Sequence, residues 1–164
     1  MNSKLQDKLM QVLMPIANKI EQQKHLQAIK DGMIAVIPVI IVGSISLLPL
    51  ALANLLGSGP IYDFLSAHLG IFTYASMFSS DMISIYAAMF IANALAKSYG
   101  IYNNQTAPTA ILVHLILCGS SIEGGLSIAY LGSSGLFTSI VSAILSVEIT
   151  RFMREKKLYI KLPD

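Results

Sequence analysis

The chain has 164 residues, of which 54% are hydrophobic and only 12% charged, and its mean hydropathy is +0.65. That balance lies outside the usual range of a soluble domain of this size, so a membrane protein is the expected class. A net charge of +2 excludes the strongly basic surface of a nucleic-acid binder, and the single cysteine, Cys118, excludes an intrachain disulfide and a multi-cysteine metal site.

The first predicted element lies within residues 1–25. Leu5, Leu9, Val12, Leu13, Ile16 and Ile20 recur at helical spacing, while Lys4, Lys8, Gln11 and Lys19 fall elsewhere on the wheel. The pattern predicts an amphipathic helix on the inner leaflet, interrupted or kinked at Pro15; the alternative is a soluble helix packed on a partner protein.

The stretch from Ile29 to Asp63 carries no charge between Asp31 and Asp63. It is too long, and too far from the start, for a cleaved signal, whose apolar region is about 7 to 15 residues. Met33 to Ala53 reaches roughly 31 Å at about 1.5 Å per residue, enough to cross the hydrocarbon core. Pro38 and Pro49 free backbone carbonyls that a bundle can satisfy, so this first span is expected to be kinked.

Three further apolar stretches follow: Tyr74 to Ala96, Ala107 to Ser121, and Leu131 to Thr150. The second has a rival reading. Ser79, Ser80 and Asp81 are all good helix N-caps, and Asp81 to Lys97 is just long enough to cross alone, which would leave Phe64 to Phe78 as an outer interfacial or re-entrant segment. The third span is short and must borrow neighbouring residues to cross; Pro108 suits its first turn.

Lys and Arg favour the cytoplasmic ends of short loops, and all eleven fall on one side of this four-span arrangement. Lys4, Lys8, Lys19, Lys24 and Lys30 precede span one, Lys97 follows span two, and Arg151, Arg154, Lys156, Lys157 and Lys161 follow span four. Both termini are therefore expected in the cytoplasm. Tyr99 and Tyr102 would mark the inner interface, Tyr62 and Tyr130 the outer one.

Inside the spans, packing signals outnumber chemical ones. Ser84, Ala88, Ala92 and Ala96 repeat every fourth residue, as do Ser134, Thr138, Ser142, Ser146 and Thr150. Small side chains at that spacing let helix backbones approach, so these stripes are expected to form bundle or dimer contacts; a polar path lined by the hydroxyls is the rival reading. Asp81 is either a helix cap or an intramembrane carboxylate, and Asn93 either bonds across helices or lines a path. These two are the candidate substrate-binding residues.

His114, in the apolar run "ILVHLILC", is expected to bond to a neighbouring helix rather than to catalyse. Glu148 is expected to pair locally with Arg151 three residues on, and Cys118, with no basic neighbour in sequence, to be a structural thiol. No carboxylate pair, metal-ligand cluster, nucleophile elbow or phosphate loop is present, so no catalytic residue, metal site or cofactor is assigned.

The segments "LMPIANKIEQQKHLQAIKDGMIAVIPVIIVGSISLLPL", "LGSSGLF" and "SVEITRFMREKKLYIKLPD" come in that order along the chain. Together they resemble the start of enzyme IIC of the bacterial phosphoenolpyruvate-dependent sugar phosphotransferase system, lactose/cellobiose/diacetylchitobiose class. The most specific parts are "KHLQAIKDGMIAVIPVIIVGS" and "YLGSSGLFTSIVSAILSVEITRF", and the resemblance runs from about Leu13 to Asp164. It implies a sugar permease of the bacterial plasma membrane that takes up a disaccharide while a cytoplasmic IIB partner phosphorylates it.

The resemblance also implies a homodimer, and a sugar pocket with its His and Glu in the second half of such proteins. No sugar-site role therefore passes to His114 or Glu148, nor does Cys118 match the phosphorylated cysteine of a IIB domain. The expected fold is all-α and polytopic. Residues 1–30 form the amphipathic helix, 31–152 a four-span membrane domain matching the N-terminal part of a IIC domain, and 153–164 a basic tail or link to a fifth span. On this reading the chain is a partial permease, inactive alone, whether a truncated gene product, a split subunit or a deliberately shortened chain. A small oligomeric four-span channel or a membrane assembly protein is the alternative.

Overall fold

The computed structural model describes residues 23–118 and 128–157, and these are all-helical. Five α-helices occur in the order α1 (Lys24–Leu56), α2 (Pro60–Ser79), α3 (Ile83–Ser98), α4 (Thr106–Cys118) and α5 (Leu136–Glu155), with short 3-10 turns at Ser80–Met82, Ile128–Tyr130 and Ser133–Gly135. The amphipathic helix expected over residues 1–25 lies almost wholly outside the described residues, as does most of the tail after Glu155.

Helix α1 runs for 33 residues with Pro38 and Pro49 inside it. At 1.5 Å per residue that is about 50 Å, well beyond the roughly 30 Å hydrocarbon core, so the first span is the middle of a longer rod. The rod begins at Lys24 and continues without a break through Lys30 into the span. It ends at Gly57, whose N–H donates to the Ala53 carbonyl at 3.2 Å.

The second expected span, Tyr74 to Ala96, is not one helix. The chain breaks into a 3-10 turn at Ser80–Met82, and α3 starts only at Ile83. Just before the break the Ser79 hydroxyl bonds back to the Ala75 and Ser76 carbonyls, a local competitor for helix hydrogen bonds. α2 therefore covers the stretch that the rival reading left as an outer segment, but as a full 20-residue helix with Pro60 in its first turn.

α3 stops in a Schellman motif. Ile101 N–H donates to the Ala96 carbonyl and Gly100 N–H to the Lys97 carbonyl, both at 3.0 Å. Gly100 takes φ 68° there, a left-handed conformation that glycine adopts without a Cβ penalty. Among the described residues α4 has 13, about 20 Å, and Pro108 sits in its first turn. The fourth expected span is shifted: Leu131 to Gly135 is turn structure, and α5 runs five residues further, to Glu155. By length and composition Lys24–Leu56, Pro60–Ser98 and Ser133–Glu155 can each cross a membrane, with α4 a shorter apolar helix beside them.

α3 is the central element, packed on α1, α4 and α5, while α2 packs on α1. Its stripe of small residues makes this possible: Ser84, Ala88, Ala92 and Ala96 are all buried, with Ile91 and Leu95 between them. Gly32 of α1 lies directly against α3, where a Cβ would come within 2.6 Å of the Ile91 backbone. The outside is apolar instead. Ile45 and Leu48 of α1 and Phe137 of α5 are 60%, 66% and 77% exposed, while Ser84, His114, Ser139 and Ser142 are fully buried. Apolar residues outside and hydroxyls inside suit a protein whose solvent is lipid.

Candidate functional site

The polar side chains gather at three places. The first is the end of the bundle where α1 begins and α3 and α5 finish, called here the basic end because Lys24, Lys97, Arg151 and Arg154 all lie there. Glu148, about two turns before the end of α5, is reached from two other helices. Tyr99 Oη donates to Glu148 Oε1 at 2.6 Å, and His25 Nε2 lies 2.9 Å from the same oxygen.

Arg151 is the more distant partner, its Nη1 being 3.7 Å from Glu148 Oε2, and its Nε instead donates to Glu155 at 2.8 Å. The Arg151 guanidinium rests 4.5 Å from the centre of the Tyr99 ring, and Lys24 Nζ lies 5.0 Å from it. Burial, together with the hydrogen bond and charge of Glu148, pushes the Tyr99 phenol above its ordinary value of 10.0, against the opposing pull of Arg151. The local Glu148–Arg151 pair expected from spacing is thus the weakest contact of a knot that ties three helices together.

Beside this knot a groove of about 790 Å³ opens between α1 and α3. Its walls carry Lys24, Gln27 and Asp31 from α1 and Asn93, Lys97 and Ser98 from α3, over a floor that includes Ala28, Ala35, Phe90 and Ala94. The α1 residues stand three, four and seven apart, one face of a helix. Asn93 is among the residues lining this groove, and its Oδ1 is buried without a hydrogen-bond partner among the described residues.

The second place is the interior. His114 of α4 is fully buried, with Nε2 2.8 Å from Ser84 Oγ on α3 and Nδ1 3.2 Å from Ser142 Oγ on α5. Ser84 Oγ also lies 2.6 Å from the Leu131 carbonyl, and Ser142 Oγ 2.6 Å from the Thr138 carbonyl. Both hydroxyls spend their single proton on those carbonyls, so the one N–H of a neutral imidazole donates to one serine only. Cys118, buried one turn along α4, lies 3.6 Å from His114 Nε2 and 3.5 Å from the Tyr130 carbonyl.

The third place is the opposite end. Asp81 sits exposed in the 3-10 turn and makes no side-chain cap to α3. It lines a cavity of about 290 Å³ with Ser80, Ala129, Gly132, Ser133 and Ser134. Asp81 and Asn93, the two candidate substrate-binding residues, are therefore held at different ends of α3. Of the second small-residue stripe, Ser142 and Ser146 are buried, Thr138 is half-buried and Ser134 is exposed. Among the described residues no group of three or more His, Cys, Asp or Glu could hold a metal ion.

Spacing alone does not reveal the His25–Tyr99–Glu148 knot, because its members are 74 and 49 positions apart. The one available signal is their shared place at the ends of predicted spans.

The comparisons with known proteins are consistent across the chain. The family model described as phosphotransferase system, EIIC, matches residues 30–164. The chain is 32% identical to the cellobiose-specific EIIC component of Geobacillus stearothermophilus, over 93% of this chain and 37% of that protein. It is 30% identical to the lichenan permease IIC component of Bacillus subtilis, over 99% of this chain and 39% of that one. Among solved structures it is similar to ChbC, the IIC component of the N,N'-diacetylchitobiose-specific phosphotransferase system. That match has a TM-score of 0.75 and 27% identity, over 95% of this chain and 39% of that chain.

Proposed function

The chain belongs to the phosphotransferase system EIIC family, and from that premise we propose that it is the N-terminal membrane part of a permease for a disaccharide that is phosphorylated as it enters. The observation that carries this reading is the likeness to the ChbC transporter over 95% of the chain. The chain spans about two fifths of the length of the relatives it matches. The resemblance puts the sugar pocket in the remaining length, so this chain by itself is expected neither to bind the disaccharide nor to move it.

The basic end faces the cytoplasm on this reading, because Lys and Arg are retained on that side. Both termini then lie inside, and a cytoplasmic IIB component is the phosphoryl donor that the permease works with. A homodimer belongs to the same proposal. Its contact would not be the Ser84, Ala88, Ala92 and Ala96 stripe, which is buried within the chain.

The test is reconstitution. The chain is co-expressed with the remaining part of a cellobiose-class IIC and its IIB component, and accumulation of phosphorylated cellobiose is measured. Uptake that needs both parts supports the proposal, and a stable complex without uptake overturns it. If the chain alone in liposomes conducts ions or solutes, and Asp81→Asn abolishes the conductance, a channel replaces the permease reading.

A further inference from the structure

We propose that the distal part of α1, from Gly43 to Leu56, and the whole of α2 form a hairpin that swings on a hinge at Gly43 and Ser80–Met82, setting its tilt to the thickness of the bilayer. The hinge is placed by the helix register. Gly32 of α1 lies against Ile91 of α3, and eleven positions further along α1 Gly43 lies against Ser80, eleven positions back from Ile91. Up to that level α1 runs beside α3, on which α4 and α5 pack. Beyond it α1 runs beside α2.

Both connections that cross this level are weakened as helices. In α1, Pro38 and Pro49 lack the N–H that would close the ladder to the Ile34 and Ile45 carbonyls. Between them the Ser44 and Ser46 hydroxyls donate back to the Ile40 and Val42 carbonyls at 2.9 and 2.8 Å, a contact that bends helices. Gly43 itself leaves room for the other connection, since a Cβ there would overlap the Ser80 hydroxyl. That second connection has left the α-helix altogether at Ser80–Met82. Tyr86 Oη donates to the Phe78 carbonyl at 2.8 Å, a strut across the break made by one side chain.

The bilayer supplies the force. From Gly32 to Leu56 α1 carries no charge, and these 25 residues reach about 37 Å against a hydrocarbon core of roughly 30 Å. The hairpin is apolar on its outside, where Leu48, Leu55, Phe64 and Ile71 are exposed. A rod longer than the core is accommodated by tilting or kinking. Tilting the chain as one body would carry α5 with it, although its 20 residues, about 30 Å, fit the core upright. Bending at the hinge tilts the hairpin alone. An upright and a leaning hairpin present different apolar lengths along the membrane normal, so bilayer thickness discriminates between them.

The swing requires that the chain spans a membrane, not that it carries sugar, so its failure and that of the permease reading are distinguishable. The full chain, in a Cys118→Ala background, carries spin labels at Leu55→Cys on the hairpin and Phe137→Cys on α5. It is reconstituted in dimyristoleoyl, dioleoyl or dierucoyl phosphatidylcholine, and the distance is read by double electron-electron resonance. The arm from Gly43 to Leu55 is about 18 Å, so a change in tilt of about 20° should move the distance by about 6 Å from the thinnest bilayer to the thickest. The pair Leu112→Cys with Phe137→Cys, on α4 and α5, should not move.

Pro38→Ala with Pro49→Ala stiffens one of the two connections and should roughly halve the shift. Tyr86→Phe removes the strut and should enlarge it. Three results overturn the proposal: a Leu55–Phe137 distance that is the same in all three lipids, an equal shift in the α4–α5 pair, or shifts in both variants that match those of the chain with Pro38, Pro49 and Tyr86 intact.

Discussion

Tyr99 Oη donates a 2.6 Å hydrogen bond to Glu148 Oε1 across 49 positions of sequence, and His25 Nε2 approaches the same oxygen at 2.9 Å. One carboxylate oxygen thereby fastens the start of α1 and the exit of α3 to α5. The contact is half-exposed, so each bond contributes modestly, but it fixes the relative heights of three helices.

Tyr99→Phe and Glu148→Gln should each lower stability by about 1 kcal/mol, the usual net value of a hydrogen bond discounted for solvent. The double variant should lose less than the sum of the two. Unfolding followed in mixed detergent micelles provides the cycle, and strict additivity would show that the two groups do not interact.

The same bond gives a pH dependence. The Tyr99 phenol is raised above 10.0 in the folded chain by burial and by Glu148. A group raised on folding contributes its full increment below the unfolded value and loses it as pH climbs through the folded one. Tyr99 should therefore ionise later than an ordinary phenol, seen as a late component of tyrosinate absorbance that Tyr99→Phe removes. Glu148→Gln should move that component earlier.

His114 tests the interior. His114→Ala deletes a buried ring and its contacts with the Ser84 and Ser142 hydroxyls, which keep their carbonyl partners, for an expected loss of about 2–4 kcal/mol. His114→Asn, which keeps a donor and an acceptor, should recover part of it. Equal stability of the two variants would mean that ring volume, and not hydrogen bonding, is what matters.

Gly32 tests the α1–α3 contact. A Cβ there meets the Ile91 Cα and N at 2.6 Å, and backbone cannot be moved aside as a side chain can. Gly32→Val should cost at least about 2 kcal/mol and separate the two helices. Crosslinking between cysteines placed at Lys24 and Tyr99 should fall in the variant, and unchanged crosslinking would contradict the packing.

Orientation can be read directly. In a Cys118→Ala background, cysteine at Ser58 should react with an impermeant thiol reagent from outside the cell. Cysteines at Asn103 and Lys157 should react only after the membrane is opened. The reverse pattern would place the basic end outside.

Much of the architecture is legible in the residues. Met33 to Ala53 reads as a span because no charge interrupts it, and the whole stretch is helical. The small-residue stripe on α3 reads as a close-packing surface because Ala and Ser at every fourth position leave no side chain to hold a neighbour away. The break at Ser80–Met82 is harder to read. Hydropathy averages over a window, whereas the interruption is confined to three residues, next to a Ser79 hydroxyl bonded back to its own helix.

The family resemblance, too, is carried by runs of residues in order. What periodicity cannot supply is a partner on another helix. Glu148 has Arg151 within a turn, and the local pairing rule selects it, yet Tyr99 and His25 come closer once the helices are assembled.

From its residues alone the chain reads as a helical membrane protein, with its spanning stretches marked by apolar runs and its cations gathered at one end. Those properties depend on composition and on neighbours along the chain. Assembly of the helices is what shares His114 between Ser84 and Ser142, brings Glu148 to α1 and α3 before its own helix, and sets Asn93 along a groove walled by Lys24 and Lys97. Each of those depends on the register between helices, which is set by close contacts such as Gly32 on Ile91 and is not written in any one segment.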